Sequence, residues 1–168
     1  CVCDGGKILF GDIRNLDLFT ASAAAIEKSR INKSTPINTF KTRVQRRIRL
    51  EKELLISPSY FVELKSRFPQ ISQVDIHVKR GIGDNEMLRY RYDVVLHKSE
   101  QPPQRTTSNQ PKWFEFSDLS QIEHLLDTCA ADCFGVSGVT NSRIAADVEL
   151  AEGLSYWQDA RSIFPDVK

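Results

Sequence analysis

The chain has 168 residues, 40% hydrophobic and 27% charged, the profile of a globular domain long enough to bury a core. Its 23 basic and 22 acidic side chains leave a net charge of +1, so overall charge points to neither nucleic acid nor an anionic membrane surface. No apolar run reaches the roughly 18–20 residues of a membrane span, the start CVCDGGKILFGD lacks a signal-peptide pattern, and four cysteines are too few for a disulfide scaffold. A cytoplasmic protein is the expectation.

The chain opens without a methionine and turns at Gly5-Gly6, as though cut from a longer polypeptide. Lys7-Ile8-Leu9-Phe10 is a nearly continuous apolar run that suits a strand covered on both faces. Asn15 is placed to cap a helix with Asp17 in its first turn and Leu18, Phe19 and an alanine-rich stretch to Ile26 behind it. A second helix is expected over 38–53, where Phe40, Val44 and Ile48 repeat every four residues and arginines take the other faces. Ser57-Pro58 is a helix start, with a capping hydroxyl followed by proline at the first helical position. Phe61, Leu64 and Phe68 form the stripe of that helix, and Pro69 ends it.

The period then changes to two. Val74, Ile76 and Val78 alternate with Asp75, His77 and Lys79, and a second strand is expected over 88–97 beyond the loop 81–85, giving a hairpin. Residues 99–112 are polar and punctuated by proline, a linker composition. They divide a larger segment, 1–98, from a small one, 113–168. In the latter, Ser117-Asp118 caps a helix with Leu119, Ile122, Leu125 and Leu126 inward; 133–139 suits a strand and Thr140-Asn141-Ser142 the cap of a last helix. So short a segment rarely builds a core alone and is expected to dock on something. The stretch from Gly153 to Lys168 carries no assignment.

Charge is unevenly spread. Residues 28–52 hold nine basic side chains against Glu51, a local +8, whereas residues from Trp113 onward hold ten acidic and three basic ones, a local −7. The basic helix 38–53 lacks aromatic interleaving and a base-reading motif, so a solvated or partner-facing helix is favoured over a nucleic-acid interface. Cys1-x-Cys3 and Cys129-x-x-x-Cys133 do not have the usual zinc spacing and read as buried or free thiols. Neither His77, His97 nor His124 has a partner at ligand spacing, and Ser137 and Ser142 lack a nucleophile elbow.

Strand, Gly-Asp-x-Arg, helix is the most informative pattern. Ligands of open parallel sheets bind beyond the carboxyl ends of the strands, where Asp12 and Arg14 are expected to stand. The alternative is that the two satisfy a loop and pair with each other. If the strand at 74–79 runs parallel to the first, Lys79, Arg80, Asp84, Asn85 and Glu86 come to the same rim; otherwise they form a solvated hairpin tip.

Gly5-Gly-Lys-Ile-Leu-Phe-Gly-Asp-Ile-Arg14 resembles the fifth-strand region of class I S-adenosylmethionine-dependent methyltransferases. Residues 51–61, 68–80, Asn85-Glu86 and 91–97 resemble the back half of the methyltransferase domains embedded in nonribosomal peptide synthetases, and Val139-Thr-Asn-Ser-Arg-Ile144 resembles the segment that follows. The resemblance implies an α/β fold: part of a Rossmann-like class I sheet ending in an antiparallel hairpin, with a small α+β segment after it. It implies methyl transfer from S-adenosylmethionine to the amine of an aminoacyl or peptidyl group tethered on a carrier protein. Asp12 and Glu86 would then serve as catalytic carboxylates that take up or hold the amine's proton, while Arg14, Asn15, Arg80 and Asn85 border the acceptor or hold its carbonyl or phosphate.

The family's cofactor-binding half, with its Gly-rich loop, has no counterpart in the chain. The resemblance therefore implies a fragment that does not bind S-adenosylmethionine alone, whose partners are the missing half of the fold, neighbouring synthetase modules and a carrier protein. Two other classes remain: a non-catalytic interaction module derived from such a domain, and a nucleic-acid binder using the basic helix 38–53.

Overall fold

A computed structural model describes residues 2–99, 111–131 and 133–154. Cys1, most of the expected linker (100–110) and the tail beyond residue 154 lie outside the described residues. One compact unit takes the chain to Pro103 and resumes at Ser142; the other spans Gln104–Asn141. The described residues form a mixed α/β structure with six helices.

The larger unit is built on a four-stranded mixed sheet of order β2-β1-β4-β3, with β1 at Lys7–Asn15, β2 at Leu55–Ile56, β3 at Ile71–Val78 and β4 at Arg91–Lys98. β4 runs antiparallel to both β1 and β3, which are therefore parallel to one another and end on the same side of the sheet. β3 and β4 form the expected hairpin.

β1 is longer than the apolar run suggested. Between Phe10↔Val94 and Ile13↔Tyr92 two residues of β1, Gly11 and Asp12, face the single Asp93 of β4, a β-bulge. The strand therefore continues through Gly11-Asp12, and Asp12 and Arg14 lie within it rather than beyond its end. Nor is β1 covered on both faces: Lys7–Gly11 are exposed, and β1 pairs with β2 only at Arg14 and Asn15.

Asn15 does not cap a helix. Its Oδ1 accepts the backbone N–H of Asp17 at 2.9 Å, a local turn, and helix α1 starts later, at Phe19–Lys28. Helix α2, Ile37–Arg49, buries Phe40 and Val44 as the four-residue repeat requires. It stops short of Glu53, because the chain must straighten for β2. Helix α3, Pro58–Arg67, begins where Ser57-Pro58 indicated: the Ser57 hydroxyl accepts the N–H of Ser59 at 3.3 Å. Phe61 packs beneath it with Tyr92, Val94 and Leu96 of β4, while Phe68 stays exposed. The Tyr92 hydroxyl donates to the carbonyl of Ile56 at 2.9 Å and pins β2 to the sheet.

A short helix unforeseen in the hairpin loop, α4 at Glu86–Tyr90, is capped by Asn85, whose Oδ1 accepts the N–H of Leu88 at 3.1 Å. The expected last helix, α6 at Ala145–Gly153, starts without a side-chain cap. It buries Leu150 with Ala23, Ala24, Ile37, Phe40 and Val44. Asp147 ties it to α4 by accepting from the Tyr90 hydroxyl at 2.6 Å and from Arg89 at 3.2 Å. Burial first, and then that contact with Asp147, raise the Tyr90 pKa.

In the smaller unit, β5 (Lys112–Glu115) and β6 (Phe134–Ser137) pair in parallel, and α5 (Leu119–Thr128) joins them. Asp118 caps α5 by accepting the N–H of Gln121 at 2.9 Å. Two strands cover only a narrow stripe, so Leu125 is buried while Leu119 and Leu126, expected inward, stay exposed. Gly135 has no room for a side chain, because the Trp113 ring occupies the place a Cβ would take.

Candidate functional site

The parallel course of β1 and β3 brings the ends of three strands together, and charged residues gather there. Asp12 is central. Its φ is +62°, a conformation that costs a non-glycine residue about 1 kcal/mol or more. The surroundings hold it: its N–H donates to Asp93 Oδ1 at 2.7 Å. Arg91 Nη1 donates to its Oδ2 at 2.9 Å and to its carbonyl at 3.2 Å, and Lys79 lies 3.4 Å from its Oδ1. Lys79 also binds Asp93 at 2.7 Å. That contact holds the Asp93 pKa below the ordinary carboxylate value and raises that of Lys79. Asp12 thus stands between two cations rather than as an isolated base.

Arg14, the next residue but one, bonds Glu51 at 2.5 Å and approaches Glu53 at 3.4 Å, both on the loop after α2. Its guanidinium stacks 5.4 Å above the Phe19 ring. Glu53 in turn accepts from Arg91 at 2.9 Å, joining the two clusters. The Glu51 pKa falls to about 2, first because its carboxylate accepts the N–H of Glu53 and then because of Arg14.

A cleft of about 240 Å³ opens beside this network, lined by Arg14, Ser22, Glu51, Glu53, Glu86 and Arg91 among others. The Glu86 side chain makes no hydrogen bond or ion pair among the described residues. It is the uncompensated carboxylate of the cleft. The Ser22 hydroxyl is buried and has no hydrogen-bond partner among the described residues.

Of the six residues singled out from sequence, Arg14 and Glu86 line the same cleft and Asp12 reaches it through Arg91. Asn15, Arg80 and Asn85 do not line it: Asn15 closes a turn, Asn85 caps α4, and Arg80 is exposed. Sequence reasoning missed Arg91, Glu51, Glu53, Asp93 and Ser22 as members of the site. The alternation of β4 offered one signal, since Arg91 and Asp93 share the face opposite Tyr92 and Val94.

Elsewhere, His97 pairs with Asp75 at 2.7 Å, and Cys3, Cys129 and Cys133 are free thiols. Among the described residues no group of three or more His, Cys, Asp or Glu side chains is placed to hold a metal ion, and no helix is long and apolar enough to cross a membrane.

No protein-family model matches the chain. It is similar to the chondramide synthase of Chondromyces crocatus, with 30% identity over 159 residues, 90% of this chain and 4% of that protein. It is also similar to the nonribosomal peptide synthetases penN of Penicillium thymicola, with 34% identity over 129 residues, and asqK of Emericella nidulans, with 31% over 128; each match covers 72% of this chain and 5% of the relative. The chain is homologous to a region of nonribosomal peptide synthetases. It spans 1–5% of the length of the curated relatives it matches.

Proposed function

We propose that this region is the carboxy-terminal part of a synthetase-embedded methyltransferase domain, and that it presents the amine of a carrier-tethered aminoacyl or peptidyl group for methylation by S-adenosylmethionine. The observation that carries the reading is the convergence of a strained, clamped Asp12, the Arg14–Glu51 pair and the uncompensated Glu86 around one cleft at the shared end of β1 and β3. Its setting supports it: the relatives are synthetases, and the sheet ends in a hairpin as the family resemblance implies.

Methyl transfer needs a neutral amine aimed at the donor's methyl carbon, so positioning dominates. Glu86, whose carboxylate pairs with no cation among the described residues, takes the proton from the ammonium or holds the amine N–H. Arg14 and Arg91, fixed by Glu51 and Glu53, offer hydrogen-bond donors to the acceptor's carbonyl. Asp12 acts as a positioning residue, because its carboxylate is engaged by Arg91 and Lys79 and sets the place of both.

The described residues do not fit the methyl donor. The Gly81-Ile82-Gly83 turn is no cradle, for Leu88 fills the space beside Gly81, and α4 behind it has only five residues. This chain contributes the acceptor side. The donor site belongs to other parts of the parent polypeptide, together with the carrier protein and neighbouring modules. The edge of β1 from Lys7 to Ile13, unpaired among the described residues and with Leu9 70% exposed, favours an interface there with the remainder of the fold. The same edge would serve a non-catalytic interaction module, the second reading.

Mass spectrometry of the carrier-bound product in an intact parent synthetase tests the proposal. Glu86→Gln should lower the methylation rate about 100-fold, and Asp12→Asn less. Unchanged transfer in both variants ends the assignment. The 168-residue chain alone should give no heat on titration with S-adenosylmethionine, and tight stoichiometric binding would overturn the division of labour.

A further inference from the structure

The hairpin loop that carries Glu86 has little to hold it by itself. Helix α4 has five residues, too few for a helix that is stable in water without outside support. Ahead of it, Gly81, Ile82 and Gly83 are exposed. Within the loop, Asn85 caps α4, and Arg89 grips Asp84 through two nitrogens at 2.5 and 2.6 Å. Those bonds shape the turn without fixing where it points. The fixing contacts come from residues at α6, 57 to 64 positions later in the chain and within the same compact unit. Asp147 Oδ2 accepts from the buried Tyr90 hydroxyl at 2.6 Å and from Arg89 at 3.2 Å. Arg143 donates to the carbonyl of Gly81 at 2.7 Å and, more weakly, to that of Lys79 at 3.5 Å. The loop is thus held at both ends, where it leaves β3 and where α4 meets β4. Leu150 seats α6 in the helical core, so the anchor is itself fixed. Glu86 lies between the two held ends and lines the cleft.

We propose that Asp147 and Arg143 are positioning residues which, with Tyr90 between Asp147 and α4, hold the hairpin loop so that the Glu86 carboxylate faces the acceptor's amine in the cleft. This role rests on the one given to Glu86 in the preceding reading. A carboxylate takes up or holds a proton only within hydrogen-bond reach of it, and a displacement of about 1 Å at such a group costs up to about 100-fold in rate. No hydrogen bond or ion pair of the Glu86 side chain among the described residues keeps it in place, so its position is that of α4. Neither Asp147 nor Arg143 lines the cleft. Both act through the loop. Arg143 also touches the backbone of Lys79, whose ammonium reaches Asp93 and Asp12, so one guanidinium steadies both carboxylates of the site.

Amide exchange in the 168-residue chain reads the clamp without reference to any reaction. The N–H groups of Leu88 and Arg89 both donate to the carbonyl of Asn85. They should exchange at least about tenfold faster in Asp147→Asn and in Tyr90→Phe, while the amides of α2 and β3 keep their rates. Arg143→Lys, which keeps a donor for one carbonyl, should speed exchange less than Arg143→Gln. Equal acceleration throughout the chain would mean a loss of global stability, and no acceleration in any variant would mean that α4 holds itself. Either result overturns the proposal. Should Asp147→Asn fail to fold, Tyr90→Phe and the Arg143 pair decide.

In the intact parent synthetase, Asp147→Asn should lower the methylation rate about tenfold at unchanged affinity for S-adenosylmethionine. In a Glu86→Gln background the same substitution should change the rate less than twofold, because the carboxylate it acts through is already gone. A tenfold loss in both backgrounds would make Asp147 a support of the fold at large and overturn the proposal. If exchange behaves as expected but Glu86→Gln leaves methylation unchanged, the clamp on α4 stands, and its catalytic purpose falls with the methyl-transfer reading. If Glu86→Gln slows methylation while Asp147→Asn alters neither rate nor exchange, the clamp alone falls.

Discussion

In the helical layer of the larger unit, Phe40 is fully buried and Val44 nearly so, surrounded by Ala23, Ala24, Ile37 and Leu150 from α1, α2 and α6. In the sheet, Val94 and Tyr92 are buried as deeply beneath α3, yet the strand beside them is open. Leu9 and Phe10 are exposed, and among the described residues most of one backbone edge of β1 is unpaired. The helices close their core with residues drawn from both ends of the unit. The sheet closes its core on one side only and leaves apolar surface where another strand would pair. The candidate site lies where β1 is finished, at Arg14 and Asn15 beside β2, and the open edge begins just before it.

Matched truncations in the two cores test this contrast most strongly. Phe40→Ala should cost about 4–5 kcal/mol, the upper end for a phenylalanine truncation, because a closed shell of alanines and Val44 cannot collapse into the cavity. Phe61→Ala should cost about 3 kcal/mol, since its neighbours Phe10 and Tyr60 are half exposed and free to move in. Urea unfolding followed by circular dichroism measures both. A reversed order would mean that the sheet, not the helices, carries the better-enclosed core.

A smaller effect probes the site rather than the cores. Glu51 has a folded-state pKa of about 2 against an ordinary 4.5, so its carboxylate stabilises the fold above about pH 4.5 and loses that contribution as pH falls towards 2. Because Glu51 is partly solvated, the contribution is about 1 kcal/mol or less. Glu51→Gln should therefore lower stability at pH 6–7 and converge with the parent chain near pH 2, in unfolding curves collected across that range. A difference that grows on acidification would mean that Glu51 is not held as a charged partner of Arg14.

Where a feature is encoded by neighbouring residues, it could be read directly. Ser57-Pro58 starts α3 because hydroxyl cap and proline act within three residues, and the period of two in 74–78 survives as β3. Phe40 and Val44 face the core because a helix turns every 3.6 residues. The course of β1 could not be read this way. Gly11-Asp12 is as suited to ending a strand as to bulging it, and the outcome depends on Asp93 and Arg91, some 80 residues away, which hold Asp12 at positive φ. The cleft followed the same pattern. Arg14 and Glu86 are legible from their chemistry and their place near strand ends, whereas Glu51, Glu53 and Ser22 enter it through the packing of α1 and α2, which no local pattern specifies. Asn15 and Asn85 spend their side-chain oxygens locally, on the N–H of Asp17 and of Leu88, because asparagine beside a turn or helix start is used first by its own backbone.

The smallest expected change in stability bears on the open edge itself. Leu9 projects from β1 on the face away from α3, opposite Val95, and is 70% exposed. Replacing it by lysine should leave unfolding within about 0.5 kcal/mol of the parent chain, since little burial is lost. A charge there should nevertheless oppose any strand that pairs alongside. Sedimentation velocity over a concentration series should therefore show less self-association for Leu9→Lys, and the same substitution in an intact parent should loosen this region's contact with the rest of the fold, read as faster amide exchange in β1. If Leu9→Lys instead unfolds the isolated chain, Leu9 is buried in solution, the sheet is closed on both sides, and the contrast between the two cores disappears.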